Sequence, residues 1–134
     1  MNVLVDTSIW SIALRRDAPR GSREEIELRA LIGEDRAVIV GPVRQEVLSG
    51  VRSTEQFRRL RDHLDAFGNL PLTQDDFVVA AECFNQCRAR GVQGSNTDFL
   101  ICAASIRHGV AIFTTDRDFE GYAAVLPLRL HAPR

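Results

Sequence analysis

Short apolar runs recur along the chain, separated by longer stretches whose apolar residues return every three or four positions. The runs read as buried strands and the stretches as helices with one apolar stripe, so the alternation predicts a single α/β domain built on a parallel sheet. Val3 to Val5 is the first such run, and Asp6 ends it. Thr7 or Ser8 then caps a helix toward Arg16, because a hydroxyl accepts from the amide groups that a helix start leaves unpaired. Ser22, with Glu25 three residues later, forms a capping box for a helix to about Gly33, in which Ile26, Ala30 and Leu31 face inward. Ala37 to Val40 is the second strand. Gly41 turns the chain, and Pro42 suits the first helical position, where its missing N–H has no partner to lose; that helix carries Glu46 and ends near Gly50.

Beyond Thr54, Phe57, Leu60, Leu64 and Phe67 recur at spacings of 3, 4 and 3 and make one stripe, with Arg58, Arg59 and Arg61 off it. Leu70 to Leu72 is a short strand, and Thr73 starts a long helix to about Arg90 with Phe77, Ala80, Ala81, Phe84 and Cys87 on its inner side. Gly91 and Gly94 frame a loop before a helix from Thr97 to His108, which is apolar all round between Phe99 and Ala104 and is closed by Gly109. Val110 to Thr114 is a buried strand ending at Thr115 and Asp116, a short helix follows, and Leu128 to Leu130 forms an edge strand. The expected architecture is one domain over residues 1–134, with five mostly parallel strands flanked by helices.

Composition narrows the possibilities further. A chain of 134 residues that is 45% hydrophobic and 26% charged is an ordinary globular protein, able to fold without disulfides or a structural metal. The longest apolar stretches, such as Phe99 to Ala104, are too short to cross a bilayer, and no signal peptide is evident. An odd count of 3 cysteines without an export signal fits reduced thiols and a cytoplasmic protein with no membrane role. Cys83 and Cys87 fall on the apolar side of their helix with no paired histidine, so they read as buried thiols, and His63, His108 and His131 have no metal-ligand spacing. Trp10 and Phe119 read as core or dimer contacts.

Bulk charge offers no argument for a nucleic-acid partner, since 17 basic and 18 acidic residues give a formal net charge of -1. Every basic residue is arginine, the better bidentate partner for phosphate. Arg15, Arg16, Arg20 and Arg23 cluster near the first strand, and Arg58, Arg59 and Arg61 form the clearest exposed run, either a track for a phosphate backbone or a solvated helix face.

The acidic residues carry the chemical signal. In an open parallel sheet the ligand site lies beyond the carboxyl ends of the strands, where the strand order reverses. Asp6 and Asp116 stand at two such ends, and Glu46 and Asp98 lie on helices entering from the same rim. Four carboxylates in one pocket repel strongly unless cations or protons lie between them. Oxygen ligands without histidine or cysteine suit Mg²⁺ or Mn²⁺, and such ions act on phosphates, so the expected chemistry is phosphodiester hydrolysis.

The motifs in order are Val-Asp-Thr-Ser at 5 to 8, Pro42-Val43 with Glu46-Val47-Leu48, Thr97-Asp98 before Ile101-Cys102-Ala103-Ala104, and Thr114-Thr115-Asp116 with Asp118-Phe119. On these the chain resembles a PIN-domain ribonuclease, and more narrowly a VapC-type toxin of a type II toxin–antitoxin pair. The resemblance implies a Mg²⁺-dependent endoribonuclease in which Asp6, Glu46, Asp98 and Asp116 hold the metal and Asp118 supports a second ion. Thr7, Ser8, Asn96 and Thr115 would orient water or phosphate, and metal-activated water would cut RNA to leave a 5′ phosphate. Asp116 and Asp118 stand as alternatives for the primary ligand of the fourth motif. A homodimer and a small cognate VapB-like antitoxin are implied as well, the antitoxin placing a basic side chain among the carboxylates. Two other readings compete. A phosphatase of the haloacid dehalogenase kind also places Asp after the first strand, but it requires a second Asp where Ser8 stands, and the chain has no lysine to hold phosphate. The other is a non-catalytic RNA- or protein-binding module on the same fold.

Overall fold

The computed structural model describes residues 1–14 and 21–134, so Arg15, Arg16 and Arg20 lie outside the described residues. Four strands, β1 (Val3–Val5), β2 (Ala37–Val40), β3 (Gly68–Leu70) and β4 (Ala111–Phe113), form one sheet in the order β3-β2-β1-β4. Every pairing is parallel, with Leu4 opposite both Val38 and Ile112. Both faces of the sheet are covered, which is why β1 and β2 are apolar and buried at every position rather than at alternate ones. The chain builds outward from β1 through β2 to β3 and then returns to the other side of β1, so the order reverses between β1 and β4. A crevice beyond the carboxyl ends of those two strands follows from that reversal.

Seven helices are described: α1 (Thr7–Leu14), α2 (Arg23–Gly33), α3 (Gly41–Leu48), α4 (Thr54–Leu64), α5 (Gln74–Ala89), α6 (Asn96–His108) and α7 (Asp118–Ala123). The expected α/β domain with a helix-flanked parallel sheet is present, with four strands among the described residues where five were expected. Leu130 makes a single parallel bridge to Ile112 rather than a full edge strand. The third strand lies at Gly68–Leu70 instead of Leu70 to Leu72, because Pro71 has no N–H to give the ladder. α1 begins at Thr7, so neither Thr7 nor Ser8 caps it; the Asp6 carbonyl accepts from the Ile9 and Trp10 amides. Ser22 caps α2 by accepting from the Glu25 amide at 3.1 Å, while the Glu25 carboxylate reaches Gly21 rather than Ser22.

Two helices are rotated from the expected faces for one physical reason. On α2, Ile26 points outward at 59% exposure, while Leu28, Leu31 and Glu27 are buried. Glu27 accepts from His131 at 2.8 Å and from Arg134 at 2.9 Å, and burial, which alone would raise its pKa, is outweighed by these bonds so that it is held low. On α5, Phe77 and Ala81 face out, and Ala80, Cys83, Cys87 and Asp76 face in. Asp76, fully buried, accepts from the Thr73 amide at 2.7 Å and from Arg107 at 2.9 Å. A buried carboxylate with its own cation turns each helix toward itself, which periodicity of apolar residues does not reveal. The three cysteines are free and buried, as expected, and Trp10 and Phe119 are core residues.

Candidate active site

Asp6 stands one residue past β1, and its N–H donates to the Phe113 carbonyl at 2.9 Å, extending the β1–β4 pairing by a rung. The side chain is 6% exposed, and its Oδ2 accepts from Thr114 Oγ1 at 2.8 Å and Ser8 Oγ at 3.0 Å. Both hydroxyl protons are committed to the carboxylate, so the two oxygens are free to accept in turn. Ser8 Oγ accepts from the Thr115 amide at 3.0 Å, and Thr114 Oγ1 accepts from the Asp116 amide at 3.0 Å. The network ties the start of α1 to the segment after β4. That segment continues into α7 with the Asp118 amide donating to Asp116 Oδ1 at 2.9 Å.

Asp98 enters from the first turn of α6, whose N-cap is Ser95, one residue before the helix and ahead of the expected start at Thr97. Its Oδ2 accepts from the Tyr122 hydroxyl at 2.7 Å. Asp98, Asp116 and Asp118 each offer a carboxylate oxygen, and these oxygens lie within 4.8 Å of one another. Burial pushes the Asp98 carboxyl above its ordinary value, and the negative charges of Asp116 and Asp6 push the same way, with the Tyr122 bond pulling against them. Glu46, on the outer face of α3, is likewise raised by burial first and then by Asp6 and Asp98, against a lowering pull from the Thr7 hydroxyl. The charges of Asp6 and Asp98 therefore reach Glu46, and those of Asp116 and Asp6 reach Asp98, across the crevice.

Asp6, Asp98 and Asp116 are held through Oδ2, Oδ2 and Oδ1 respectively, and among the described residues no donor engages the other oxygen of each. Thr7 Oγ1 is buried, faces Glu46, and has no partner within ordinary hydrogen-bond geometry among the described residues. Free carboxylate oxygens in a like-charged cluster beside an unsatisfied hydroxyl are a donor set for a hard divalent cation. The residues present fit such an ion.

The expected supporting residues divide. Thr7 and Ser8 are at the site, and Thr115 contributes its amide rather than its hydroxyl. Asn96 lines a groove between α5 and α6 with Phe77 and Phe84, whereas Thr97 lines a cleft of about 320 Å³ with Thr7 and Glu46. Thr114 and Tyr122 escaped sequence reasoning. Thr114 stood inside a quoted motif, and Tyr122 lies one helical turn after Asp118 on α7, a spacing that places both on one face. Of the arginines, Arg23 reaches the Pro133 carbonyl at 3.4 Å, Arg59 pairs with Glu55 at 2.8 Å and Arg61 with Asp62 at 3.0 Å, and Arg58 is exposed on α4. A groove of about 1190 Å³ runs from Glu46 along Val47 to Arg59, Leu60 and His63.

The chain is 32% identical over 131 residues to VapC ribonuclease Mb1587 of Mycobacterium bovis and equally to Ribonuclease VapC11 of Mycobacterium tuberculosis, covering 95% of this chain and 96% of each relative. Its fold matches a chain in the crystal structure of VapBC2 from Rickettsia felis bound to a DNA fragment from their promoter, with a TM-score of 0.78 at 19% identity, over 98% of both chains. The sequence model of the PIN domain matches residues 3–125, the stretch that supplies the whole sheet and every one of these carboxylates, and the chain belongs to the PIN domain family.

Proposed function

We propose that this protein is a divalent-metal-dependent endoribonuclease and the toxin of a toxin–antitoxin pair. The observation that carries the reading is the convergence of carboxylates from four chain segments on the β1–β4 crevice, with Glu46 and Asp98 raised in pKa by burial and by their neighbours. Relatives bearing the name ribonuclease over nearly the whole chain support the same activity.

Asp6, Glu46, Asp98 and Asp116 would hold the ion, with Asp118 the further ligand. A bound Mg²⁺ or Mn²⁺ lowers the pKa of water and stabilises charge on a departing oxygen. Ser8 and Thr114 fix the Asp6 carboxylate in orientation, and the Thr7 hydroxyl beside Glu46 is placed to donate to a phosphate oxygen or to water. Single-stranded RNA would lie in the groove from Glu46 to Arg59, where arginine meets phosphate, the exposed Arg58 adding positive charge nearby. A VapB-like antitoxin would cover that groove with a basic segment that replaces the charge of the ion, and a homodimer would cover Phe77 and Val78, which are 54% and 53% exposed. No helix among the described residues is long and apolar enough to cross a membrane, which accords with action on cytoplasmic RNA.

The test is cleavage of RNA by purified protein with Mg²⁺ or with EDTA, beside the Asp98→Asn and Glu46→Gln variants, with the cut ends sequenced. Cleavage that needs the ion and falls at least ~100-fold in Asp98→Asn is expected. Mg²⁺ should also raise the melting temperature of the wild type, by an amount corresponding to about 2.7 kcal/mol at a hundredfold excess over Kd, and should not do so in Asp98→Asn. Hydrolysis of a small phosphate monoester but not RNA would replace the reading with a phosphatase, and RNA binding without products would replace it with a binding module.

A further inference from the structure

Tyr122 is fully buried, its ring between Phe99, at a centroid distance of 5.0 Å, and Phe119, at 5.1 Å. Packing on two sides leaves the ring one position, and its hydroxyl ends at 2.7 Å on Asp98 Oδ2. The loop ahead of α6 passes so close to this ring that a Cβ at Gly94 would overlap the hydroxyl and stand 2.7 Å from Cζ and 2.8 Å from Cε1. Gly94 does not need unusual backbone angles, since it is absent from the glycines with positive φ. What it lacks is a side chain, and that lack makes room for the tyrosine.

We propose that Tyr122 is a positioning residue that holds the Asp98 carboxylate open toward the cation, and that Gly94 is the residue that lets it do so. The proposal rests on Asp98 being a ligand, as in the function proposed above. Tyr122 follows Asp118 by one turn of α7, so the same short helix carries one carboxylate of the trio and grips another through its hydroxyl. The oxygens of Asp98, Asp116 and Asp118, all within 4.8 Å, repel one another, and a half-buried carboxylate free to rotate would swing away from its neighbours. A charge-assisted bond from a buried, packed ring opposes this and keeps the Asp98 carboxylate turned toward the others.

Mn²⁺ binding, measured on the purified full chain by electron paramagnetic resonance without RNA, tests it together with melting temperature in EDTA and cleavage at rising Mn²⁺. Tyr122→Phe should fold, bind Mn²⁺ about tenfold more weakly, and regain most of its cleavage rate at saturating Mn²⁺. Gly94→Ala should weaken Mn²⁺ binding in the same way with the tyrosine still present. A merely structural hydroxyl would lower the melting temperature of Tyr122→Phe and leave its Mn²⁺ affinity at the wild-type value. That result, alongside loss of Mn²⁺ binding in Asp98→Asn, would overturn the role of Tyr122 while the metal assignment stood. Unchanged Mn²⁺ affinity in Asp98→Asn would instead overturn the metal assignment, and the proposal with it.

Discussion

Replacing Thr114 with valine removes one oxygen and leaves the shape of the side chain. The oxygen lost donates to Asp6 Oδ2 at 2.8 Å and accepts from the Asp116 amide at 3.0 Å. The second bond involves an exposed residue, and water replaces it at little cost. The first serves a carboxylate that is 6% exposed, where no water substitutes readily, and a hydrogen bond to a charged group contributes about 1.5 to 3 kcal/mol. Ser8 still donates to the same oxygen, so Thr114→Val should fall near the middle of that range, about 2 kcal/mol, with a melting temperature lower by about 5 to 12 °C. Urea unfolding in EDTA gives the number, and a double-mutant cycle with Asp6→Asn isolates its origin. In the Asp6→Asn background the same valine should cost about 1 kcal/mol less, because the acceptor is then neutral. A Thr114→Val variant within ~0.5 kcal/mol of wild type, or a cycle with no coupling, would refute the view that Thr114 fixes Asp6.

Two further outcomes follow from the charge arrangement. Because burial and like charges raise the pKa of Glu46 and Asp98 above the ordinary 4.5 and 3.8, protons compete for the site at a higher pH than at unperturbed carboxylates, and Mn²⁺ affinity should weaken as pH falls, starting above the range in which ordinary carboxylates protonate; an affinity that holds steady until that ordinary range would contradict this. Asp76→Asn should destabilise the fold by about 2 to 4 kcal/mol at pH 7, since it unpairs Arg107 and disrupts the bond from the Thr73 amide. Asp76 has its folded pKa lowered, so its stabilisation is complete above the unperturbed 3.8 and is lost as pH falls through the folded value; unfolding curves of variant and wild type should converge in acid.

Much of the fold could be read from apolar runs because both faces of the sheet are covered, and a doubly buried strand such as Ala37–Val40 has no polar alternation to obscure it. The gathering of Asp6, Asp98 and Asp116 was also legible, since carboxylates at parallel strand ends, as Asp6 and Asp116 are, have few structural reasons to be there, and the helix carrying Asp98 enters from the same rim. What misled was charge hidden inside. Glu27 and Asp76 look like solvent-facing positions until Arg134 and Arg107, 107 and 31 residues away, are seen to pair with them. Tyr122 belongs to the same class, for its role depends on a carboxylate 24 residues earlier and on the missing side chain of Gly94. Thr114 and Thr115 were separable only by orientation at the end of β4, where the hydroxyl of the first and the amide of the second turn toward the site.

The amide of Asp6 is part of the hydrogen-bonded ladder with Phe113, so this anion is mounted on the most constrained part of the molecule. Relocating it would require unzipping the centre of the sheet, an opening comparable to global unfolding. Any accommodation of a bulky polynucleotide must then come from outside the β1–β4 ladder, above all from α3, where Glu46 stands on the outer face. The molecule divides its labour accordingly: a fixed reference point at the base of the crevice, and a helix at its rim that carries the remaining anion.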